Sequence, residues 1–187
     1  CSVGKMYTAL AIDQELFARG AKTDFRATGQ TGIFIAGSGV SVDAVVSDFI
    51  SGATEWLTPE NEPDHWDIVE GQGSLFHPSY AGVTMGLVHG AQADALVLCH
   101  EPTRTHMRGL PHQPLPDIAT CMEGHLGAAR LTNPNAQCVG IAVNTSGMDS
   151  DQDRADLLRD LSAQHDRPAV DPVRDGVGVS VDRLETI

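Results

Sequence analysis

One stretch, Ala95-Leu96-Val97-Leu98-Cys99, is apolar at every position and leads directly into His100-Glu101-Pro102. An unbroken apolar run is typical of a strand buried on both faces, which occurs in parallel sheets covered by helices. The same pattern returns at Val139-Gly140-Ile141-Ala142-Val143. Parallel strands need crossover connections, which are usually helices, so the two runs predict an α/β fold.

Helical and strand patterns alternate along the rest of the chain. Further strands are predicted at residues 23–28 and 66–69, and an edge strand in the Val-, Asp- and Gly-rich tail from Pro168. Helices are predicted at residues 9–17, 42–53, 80–91, 117–131 and 150–164. Residues 42–53 have the clearest amphipathic spacing, with Ser41 expected as the N-cap, and Arg19-Gly20 is expected to end the first helix.

The composition excludes several classes of protein. The chain has 187 residues, of which 41 % are hydrophobic, so it can bury one full-sized core. Its 12 basic and 25 acidic residues give a net charge of −13, which argues against nucleic acid and anionic membranes as partners. No stretch approaches the roughly 18 apolar residues of a spanning helix. The four cysteines form no CxxC pair, so a reduced, cytoplasmic protein without a zinc site is expected.

A glycine-lysine turn opens the first helix. Ser2-Val3-Gly4-Lys5 is similar to the second half of a P-loop, in which backbone N–H groups, a helix N-terminus and a lysine bind phosphate. Met6 follows where an NTPase has the Ser or Thr that holds Mg²⁺, so a phosphate-bearing ligand without Mg²⁺ is expected. Because the chain opens inside this motif, we expect it to be a piece of a longer polypeptide.

Three other clusters fall where predicted strands end. Glu70-Gly71-Gln72-Gly73-Ser74 offers a carboxylate that is a base, a metal ligand or a structural group, beside glycines that admit a ligand close to the backbone. Residues 100–108 hold two Arg, two His and one Glu, which favours anion binding over a metal site. Asn144 follows the second buried run and is a candidate for contact with a purine edge. Arg26, in a Gly-punctuated loop, is a candidate carboxylate clamp.

Four blocks taken together resemble one family. These are Cys1-Ser2-Val3-Gly4-Lys5, Phe25-Arg26-Ala27-Thr28-Gly29-Gln30-Thr31-Gly32, Glu70-Gly71-Gln72-Gly73-Ser74-Leu75-Phe76-His77-Pro78 and Cys99-His100-Glu101-Pro102-Thr103-Arg104. They resemble the bacterial D-glutamate N-acetyltransferase family, formerly a P-loop-containing family of unknown function. The resemblance implies a P-loop NTPase-like α/β fold, with a mainly parallel sheet flanked by helices on both faces. It also implies that residues 1–187 form a C-terminal catalytic domain, with a Rossmann-like domain and the first P-loop strand lying upstream.

The resemblance implies acetyl transfer from acetyl-CoA to the amine of D-glutamate. The candidate bases are Glu70, His77 and His100, with Glu70 or His77 preferred, and N–H groups of residues 71–74 are candidates for the oxyanion site. The residues expected to bind the acetyl-CoA are Ser2, Val3, Gly4, Lys5, Met6, Tyr7, Gly71, Gly73 and Asn144. Those expected to bind the acceptor are Arg26, Gln30, Ser74, Arg104 and Arg108. No metal is expected.

Three alternatives stay open. Val3-Gly4-Lys5 and Glu70-Gly71-Gln72-Gly73 look more distantly like dethiobiotin synthetase, which implies an ATP-dependent kinase or ligase, although Met6 departs from its Thr. Cys1 is the candidate nucleophile of an N-terminal hydrolase. A nucleotide- or CoA-binding module without turnover is the third alternative. We also expect a homo-oligomer, and an upstream segment of the same polypeptide that stabilises the domain.

Overall fold

The computed structural model describes residues 3–187, which contain seven α-helices and seven strands. The helices are α1 Lys5–Ala18, α2 Gln30–Ala36, α3 Ile50–Leu57, α4 Ala81–Ala91, α5 Ile118–Ala129, α6 Asp151–His165 and α7 Gly178–Leu184. The strands are β1 Lys22–Arg26, β2 His65–Val69, β3 Ala95–His100, β4 His106–Met107, β5 Leu110–Pro114, β6 Gln137–Val143 and β7 Ala169–Val170.

The strands form two parallel sheets and a short hairpin. β1 pairs with β2, and β3, β6 and β7 pair in that order, in both cases with parallel strands. β4 and β5 form the antiparallel hairpin. In the chain, α4 connects β2 of the first sheet to β3 of the second, and helices also connect the paired parallel strands within each sheet, as parallel pairing requires. The predicted α/β architecture, with parallel strands and helices, is therefore confirmed.

The core is centred on β6. Val139, Ile141 and Val143 are almost completely buried. Val139 packs in a cluster with residues of α1 and α7, whereas Ile141 and Val143 pack in a cluster with Leu158 of α6. The pairing of β3 with β6 skips Val139, so Val139 and Ile141 pack in different clusters although they are two residues apart. Helices cover the whole strand, which is why this segment lacks the polar alternation of a half-exposed strand. Full burial of each such side chain contributes about 1.5–3 kcal/mol.

Capping hydrogen bonds and a glycine backbone angle confirm three of the predicted helix ends. The Asp117 carboxylate accepts the Thr120 N–H at 2.7 Å and so caps α5. The Ser150 hydroxyl caps α6 by accepting the Asp153 N–H at 3.1 Å. α1 ends where expected, with Gly20 at φ +86° beyond its last turn.

The prediction of one helix over residues 42–53 is wrong. Two 3-10 turns, Val42–Ala44 and Ser47–Phe49, come first, and α3 begins only at Ile50. The Ser41 hydroxyl donates to the Asp43 carboxylate at 2.6 Å instead of capping a helix, and the backbone is extended at Val45. The apolar spacing is still used for packing, because Val42 and Ile50 are buried in one cluster with Leu87.

Three further elements differ from the sequence prediction. The segment that begins at Gln30 is the helix α2, although its glycines predicted a loop, and β1 ends at Arg26, before the predicted end at residue 28. The tail contains the expected edge strand β7 but also the helix α7. Among residues 3–187, no helix combines the length and the apolar character that crossing a membrane requires.

Candidate active site

The carboxyl ends of β2 and β3 meet the amino end of α1. Gly71, which follows β2, lies against the Lys5 side chain, since a Cβ on Gly71 would sit 3.2 Å from Lys5 Cδ. Near the end of β3, Cys99 Sγ lies 3.7 Å from Thr8 Oγ1 in α1. Ligands of α/β sheets bind at this edge, so the candidate active site is placed here.

A cavity of about 530 Å³ opens at this edge and continues between β2 and β3. Eight of the residues predicted for the site line it: Val3, Lys5, Gly71, Gly73, Ser74, His100, Arg104 and Arg108. Other predicted residues do not line it: Gly4, Met6, Tyr7, Arg26, Gln30, Glu70, His77 and Asn144. Cys1 and Ser2, the candidate nucleophile and a candidate phosphate ligand, lie outside the described residues.

One wall of the cavity was not found from the sequence. It is apolar and is contributed by the β4–β5 hairpin, the segment after it and α5, through Met107, Leu115, Pro116, Cys121, Met122 and His125. The His125 ring donates through Nδ1 to the Cys121 carbonyl at 2.7 Å, which fixes its orientation. Cys121, Met122 and His125 fall in the helix predicted at residues 117–131, and Met107 falls in the cluster at residues 100–108, but none of them was predicted to line the site.

The amino end of α1 is built to meet an anion. Gly4 adopts φ +97° immediately before Lys5, and as a glycine it supplies no side chain to cap the helix. The first N–H groups of a helix lack intrahelical partners and carry the positive end of the helix dipole. This is the backbone arrangement that binds phosphate in the second half of a P-loop, and phosphate binding at this turn stays a prediction.

Lys5 belongs to a small basic island in an acidic chain. Burial lowers the pKa of Lys5, the negative charge of Glu70 opposes that effect, and the positive charge of Arg104 lowers the pKa further. Lys5 and Arg104 are therefore close enough to influence each other electrostatically. Two cations beside a helix N-terminus favour a multiply charged anion, such as a phosphate group or a carboxylate.

The loop after β2 requires glycine at position 73 for steric and backbone reasons. Gly73 has φ +66°, and a Cβ there would lie 2.7 Å from Thr84 Oγ1 and 2.9 Å from the Tyr80 carbonyl. The same Thr84 hydroxyl donates to the Gln72 carbonyl at 2.9 Å. The loop is thus pinned to the start of α4, with its backbone close to the cavity.

Glu70 is 4 % exposed, and its carboxylate is turned toward α2 rather than into the cavity. Oε2 accepts the N–H groups of Thr28 at 3.0 Å and Gly29 at 3.1 Å, at the start of that helix. The Thr28 hydroxyl donates to the Glu70 carbonyl, and a Cβ on Gly32 would collide with Oε2. Glu70 therefore clamps the loop after β1 to the loop after β2.

His77 is 3 % exposed and uses both ring nitrogens. Nδ1 accepts the Ser79 N–H at 3.2 Å, so Nε2 carries the proton and donates to the Arg108 carbonyl at 3.0 Å. Its ring also packs against Tyr80, with centroids 4.6 Å apart. The residue links the start of α4 to the β4–β5 hairpin, and neither nitrogen is positioned to take a proton from a substrate.

His100 is the last residue of β3, and of the three candidate bases it is the one that lines the cavity. Burial lowers the pKa of His100, and the negative charge of Glu101 opposes that effect. The imidazole is therefore neutral at neutral pH, which is the form that accepts a proton.

The turn after β3 orients an arginine. Glu101 Oε1 accepts the Thr103 N–H at 2.8 Å and its hydroxyl at 2.5 Å, while Oε2 lies 3.4 Å from Arg104 Nε. Burial alone would raise the pKa of Glu101, but the Thr103 hydrogen bonds and the charges of Arg104 and His100 hold it below its usual value. An ionised Glu101 thus fixes one side of the Arg104 guanidinium at the cavity.

Arg26 and its surroundings lie outside this arrangement. Its guanidinium is held by Asp67 at 2.6 Å and Asp24 at 3.1 Å, on the paired strands β1 and β2. Asp24, His65 and Asp67 have ligand atoms within 4.8 Å of one another, the geometry of a possible metal site. Arg26 already pairs with both carboxylates, and its positive charge opposes a cation there. The predicted role of Arg26 as a substrate clamp therefore gains no geometric support, because Arg26 does not line the cavity. Gln30, the other predicted acceptor ligand on this side, is exposed on α2 and does not line the cavity either.

The loop after β6 is fixed by a carboxylate that sequence reasoning missed. Asp171 is 2 % exposed and accepts hydrogen bonds from the Thr145 hydroxyl, from its N–H at 3.1 Å and from the Val173 N–H at 2.9 Å. Asn144 uses its side-chain oxygen to accept the Ser146 N–H at 3.1 Å. The sequence signal was a lone Asp after the short apolar pair Ala169-Val170.

Comparisons with known proteins give one consistent result. Residues 1–181 match the family model described as "Domain of unknown function (DUF1611_C) P-loop domain". The chain is 55 % identical over 187 residues to a D-glutamate N-acetyltransferase from Tritonibacter scottomollicae and 54 % identical over 184 residues to one from Pseudoalteromonas. These alignments cover 100 % and 98 % of the chain but only 56 % and 55 % of the two relatives.

A solved structure has the same fold. The crystal structure of a DUF1611 family protein from Anabaena variabilis superposes with a TM-score of 0.92 at 33 % identity, covering 100 % of this chain and 55 % of that one. The chain thus spans about half the length of the relatives it matches.

Proposed function

Because the chain belongs to the DUF1611 family, of which it contains the P-loop domain, we propose that it provides the catalytic part of an N-acetyltransferase that moves an acetyl group from acetyl-CoA to D-glutamate. The observation that carries the proposal is the 55 % identity, over all 187 residues, to a curated relative named for that reaction. The acetyl-CoA donor is our inference from the phosphate-binding turn beside an apolar cavity wall.

The donor is held by the amino end of α1. The N–H groups that follow Gly4 and the ammonium of Lys5 bind a phosphate of the carrier. The apolar wall formed by Met107, Leu115 and Met122 accepts its uncharged arm. Met6 replaces the hydroxyl residue that would hold Mg²⁺ in an NTPase, which fits a carrier that is not cleaved at its phosphates.

The acceptor carries two carboxylates and one ammonium group. Arg104, oriented by Glu101, binds one carboxylate, and Arg108 at the hairpin is placed to meet the other. A guanidinium presents two parallel donors, so it fixes the acceptor's orientation as well as its charge.

The reaction needs a base, and the geometry favours His100. The neutral imidazole takes a proton from the acceptor's ammonium group, and the resulting amine attacks the thioester carbonyl. N–H groups of residues 71–74 stabilise the oxyanion of the tetrahedral intermediate. Collapse of the intermediate breaks the C–S bond, the nitrogen gives its second proton to the departing thiolate, and the imidazolium returns the first proton to water. Glu70 and His77, the bases preferred from the sequence, are instead engaged with backbone groups.

The test measures CoA release by the protein at its full natural length, with D-glutamate, L-glutamate or no acceptor. Lys5→Ala is expected to raise the KM for acetyl-CoA about tenfold, and Arg104→Ala to raise the KM for D-glutamate about tenfold to a hundredfold. The chain has two lysines, so Lys22→Ala at the exposed end of β1 is the matched control, and Arg159→Ala on α6 is the control for Arg104. Wild-type values in both test variants, or ADP formation that requires Mg²⁺, would overturn the assignment.

The expected homo-oligomer stays a prediction. Phe34, Phe49 and Trp56 are 89 %, 67 % and 75 % exposed, an amount of apolar surface that a second copy would cover.

A further inference from the structure

The two arginines proposed to bind the acceptor's carboxylates come from segments of different character. Arg104 lies in the turn after β3, where a Glu101 carboxylate oxygen is 3.4 Å from its Nε. Arg108 lies in the β4–β5 hairpin, is exposed and lines the cavity. A guanidinium on a long, exposed side chain reaches a defined point only when its own backbone is held in place. The backbone position of Arg108 therefore sets how far apart the two guanidinium groups stand.

Most of the hairpin lies at the surface of the domain. Residues 111–114 of β5 are exposed, and Gly109 turns the chain at φ +78°. Met107 is buried at 5 % exposure, and Gln113 Nε2 donates to the Phe76 carbonyl in an exposed, long bond of 3.4 Å. A two-stranded hairpin is at best marginally stable alone, so its position depends on attachments to the rest of the domain.

His77 supplies a buried attachment at position 108. Its Nε2 donates to the Arg108 carbonyl at 3.0 Å, and the residue is 3 % exposed. A hydrogen bond shielded from water is electrostatically stronger than one at the surface. Because the bond holds the backbone of Arg108 itself, it fixes the point from which the arginine side chain extends.

His77 is in turn held by the start of α4. Its carbonyl accepts the N–H groups of Tyr80 and Ala81 at 3.0 and 2.9 Å, and its own N–H donates to the Ser74 carbonyl at 3.1 Å. Nδ1 accepts the Ser79 N–H at 3.2 Å, so the ring nitrogen takes the place of the oxygen in an Asx turn. The backbone and the ring of His77 are thus both fixed by contacts that do not involve the hairpin.

We propose that His77 is a positioning residue that fixes Arg108 relative to Arg104 and thereby sets the length of the dicarboxylate that the acceptor site takes. The inference rests on the proposed function, in which each arginine binds one carboxylate of the acceptor. An acceptor one methylene shorter or longer than glutamate leaves one charged group unpaired, which is costly in a site built for both. His77 itself does not line the cavity and takes no proton.

Two substitutions separate the two bonds of the His77 ring. Asn places an oxygen where Nδ1 lies and keeps the Ser79 bond as an Asx turn, but it is too short to reach the Arg108 carbonyl. Gln places an amide nitrogen where Nε2 lies and keeps the bond to Arg108, but it leaves the Ser79 N–H without this acceptor. A role in folding alone predicts similar effects from both substitutions, whereas a positioning role predicts different ones.

The measurement is kcat and KM for acetyl transfer to D-glutamate, D-aspartate and D-2-aminoadipate, with the protein at its full natural length. His77→Asn is expected to raise the KM for D-glutamate about tenfold and to lower the preference for D-glutamate over the other two acceptors at least about fivefold. The KM for acetyl-CoA should change less than about twofold, because Met107 stays buried in the donor's wall.

Two controls accompany this variant. His77→Gln should restore the preference for D-glutamate to within about threefold of wild type. Gln113→Ala removes the exposed bond of the same hairpin and should leave the preference unchanged. An equal loss of preference in both His77 variants, or full preference in His77→Asn, would overturn the proposal.

The Arg108→Ala background tests whether His77 acts through that arginine. There, His77→Asn should have no further effect on the KM for D-glutamate, because the group that it positions is already gone. Additive effects of the two substitutions would contradict the proposal.

A measurement on the wild-type protein covers the case in which His77→Asn does not fold. If the bond from His77 favours acceptor binding, acceptor binding must stabilise that bond by the same factor. Saturation with D-glutamate should therefore slow the exchange of the His77 Nε2–H with solvent about tenfold, as observed by NMR with labelled imidazole. An unchanged exchange rate would refute the role of His77. This measurement requires binding but no turnover, so a protein that transfers no acetyl group would count against the proposed function instead.

Discussion

The aliphatic part of Lys5 crosses Gly71 so closely that a Cβ on Gly71 would lie 3.2 Å from Lys5 Cδ. This contact couples the turn at Gly4-Lys5 to the loop after β2, although Lys5 and Gly71 are 66 positions apart in the sequence. The glycine at position 71 leaves room for the Lys5 side chain.

Gly71→Ala is therefore expected to displace Lys5 without disturbing the backbone, since Gly71 is not among the positive-φ residues. The KM for acetyl-CoA should rise about threefold to tenfold, as a charge near a helix N-terminus contributes about 0.3–1 kcal/mol and up to about 2 in partly buried sites. Steady-state kinetics measure the change. Gly82→Ala on α4, where a Cβ meets nothing within 4 Å, should leave the KM unchanged. An equal effect of both substitutions would contradict the steric coupling.

His100 should determine the acid side of the pH profile. Because burial lowers the pKa of His100, the imidazole loses its proton below pH 6.5, and the activity should fall only when the pH drops through that lowered value. His100→Gln should lower kcat about 10²- to 10⁴-fold, the contribution of general base catalysis, and remove this acid limb. The measurement is kcat/KM from pH 4.5 to 9.

His112→Gln is the matched control, because His112 is exposed on β5. It should keep both the rate and the acid limb. A limb that persists unchanged in His100→Gln would show that another group takes the proton.

The Glu70→Gln variant tests whether Glu70 holds two loops together or acts as the catalytic base. The Gln amide keeps the shape but loses the charge that holds the Thr28 and Gly29 N–H groups, so the free energy of unfolding should fall by about 1–3 kcal/mol. In a chain of this size that corresponds to a fall in Tm of about 2–10 °C, measured by calorimetry. The kcat of the folded enzyme should stay within about tenfold of wild type.

Glu60→Gln, in the exposed loop before β2, should change neither quantity. If Glu70 is the catalytic base, kcat in Glu70→Gln will instead fall by about 10² or more.

The sequence predicted the fold through its buried strands and predicted the edge of the sheet at which the site lies. Lys5, His100 and Arg104, which the sequence assigned to one site, line one cavity, because the end of β3 meets the start of α1 at one edge of the sheet. The sequence favoured Glu70 or His77 as the base, whereas of the three candidates His100 is the one that lines the cavity. That distinction depends on which backbone N–H groups the side chains meet, and such contacts leave no periodic pattern.

Local patterns also failed where tertiary contacts compete with them. Ser41 predicted an N-cap but bonds to Asp43, and the glycines beside Gln30 predicted a loop where α2 forms. In α2, position 32 must be glycine because the Glu70 carboxylate occupies the space that a Cβ would fill. Glu70 is 38 residues further along the chain, so no local sequence pattern could reveal this contact.

Asp171 should contribute pH-dependent stability. Burial alone would raise the pKa of Asp171, but hydrogen bonds from Thr145, Val173 and Arg174 outweigh it and hold the pKa below its usual value. A carboxyl group whose pKa is lower in the folded state stabilises the fold above its unfolded pKa of about 3.9, and that contribution is lost as the pH falls through the folded value. Stability from Asp171 is therefore fully present at pH 7 and disappears only below about pH 4.

Asp171→Asn should lower the free energy of unfolding by about 2 kcal/mol at pH 7, since the amide cannot accept all of these bonds. The difference from wild type should shrink as the pH is lowered below 4, in urea titrations repeated at pH 7, 5 and 3.5. Asp160→Asn, an exposed residue paired with Arg159 on α6, should cost no more than about 0.5 kcal/mol at any pH. A penalty for Asp171→Asn that is the same at all three pH values would mean that shape, rather than the charge of the carboxylate, holds the loop after β6.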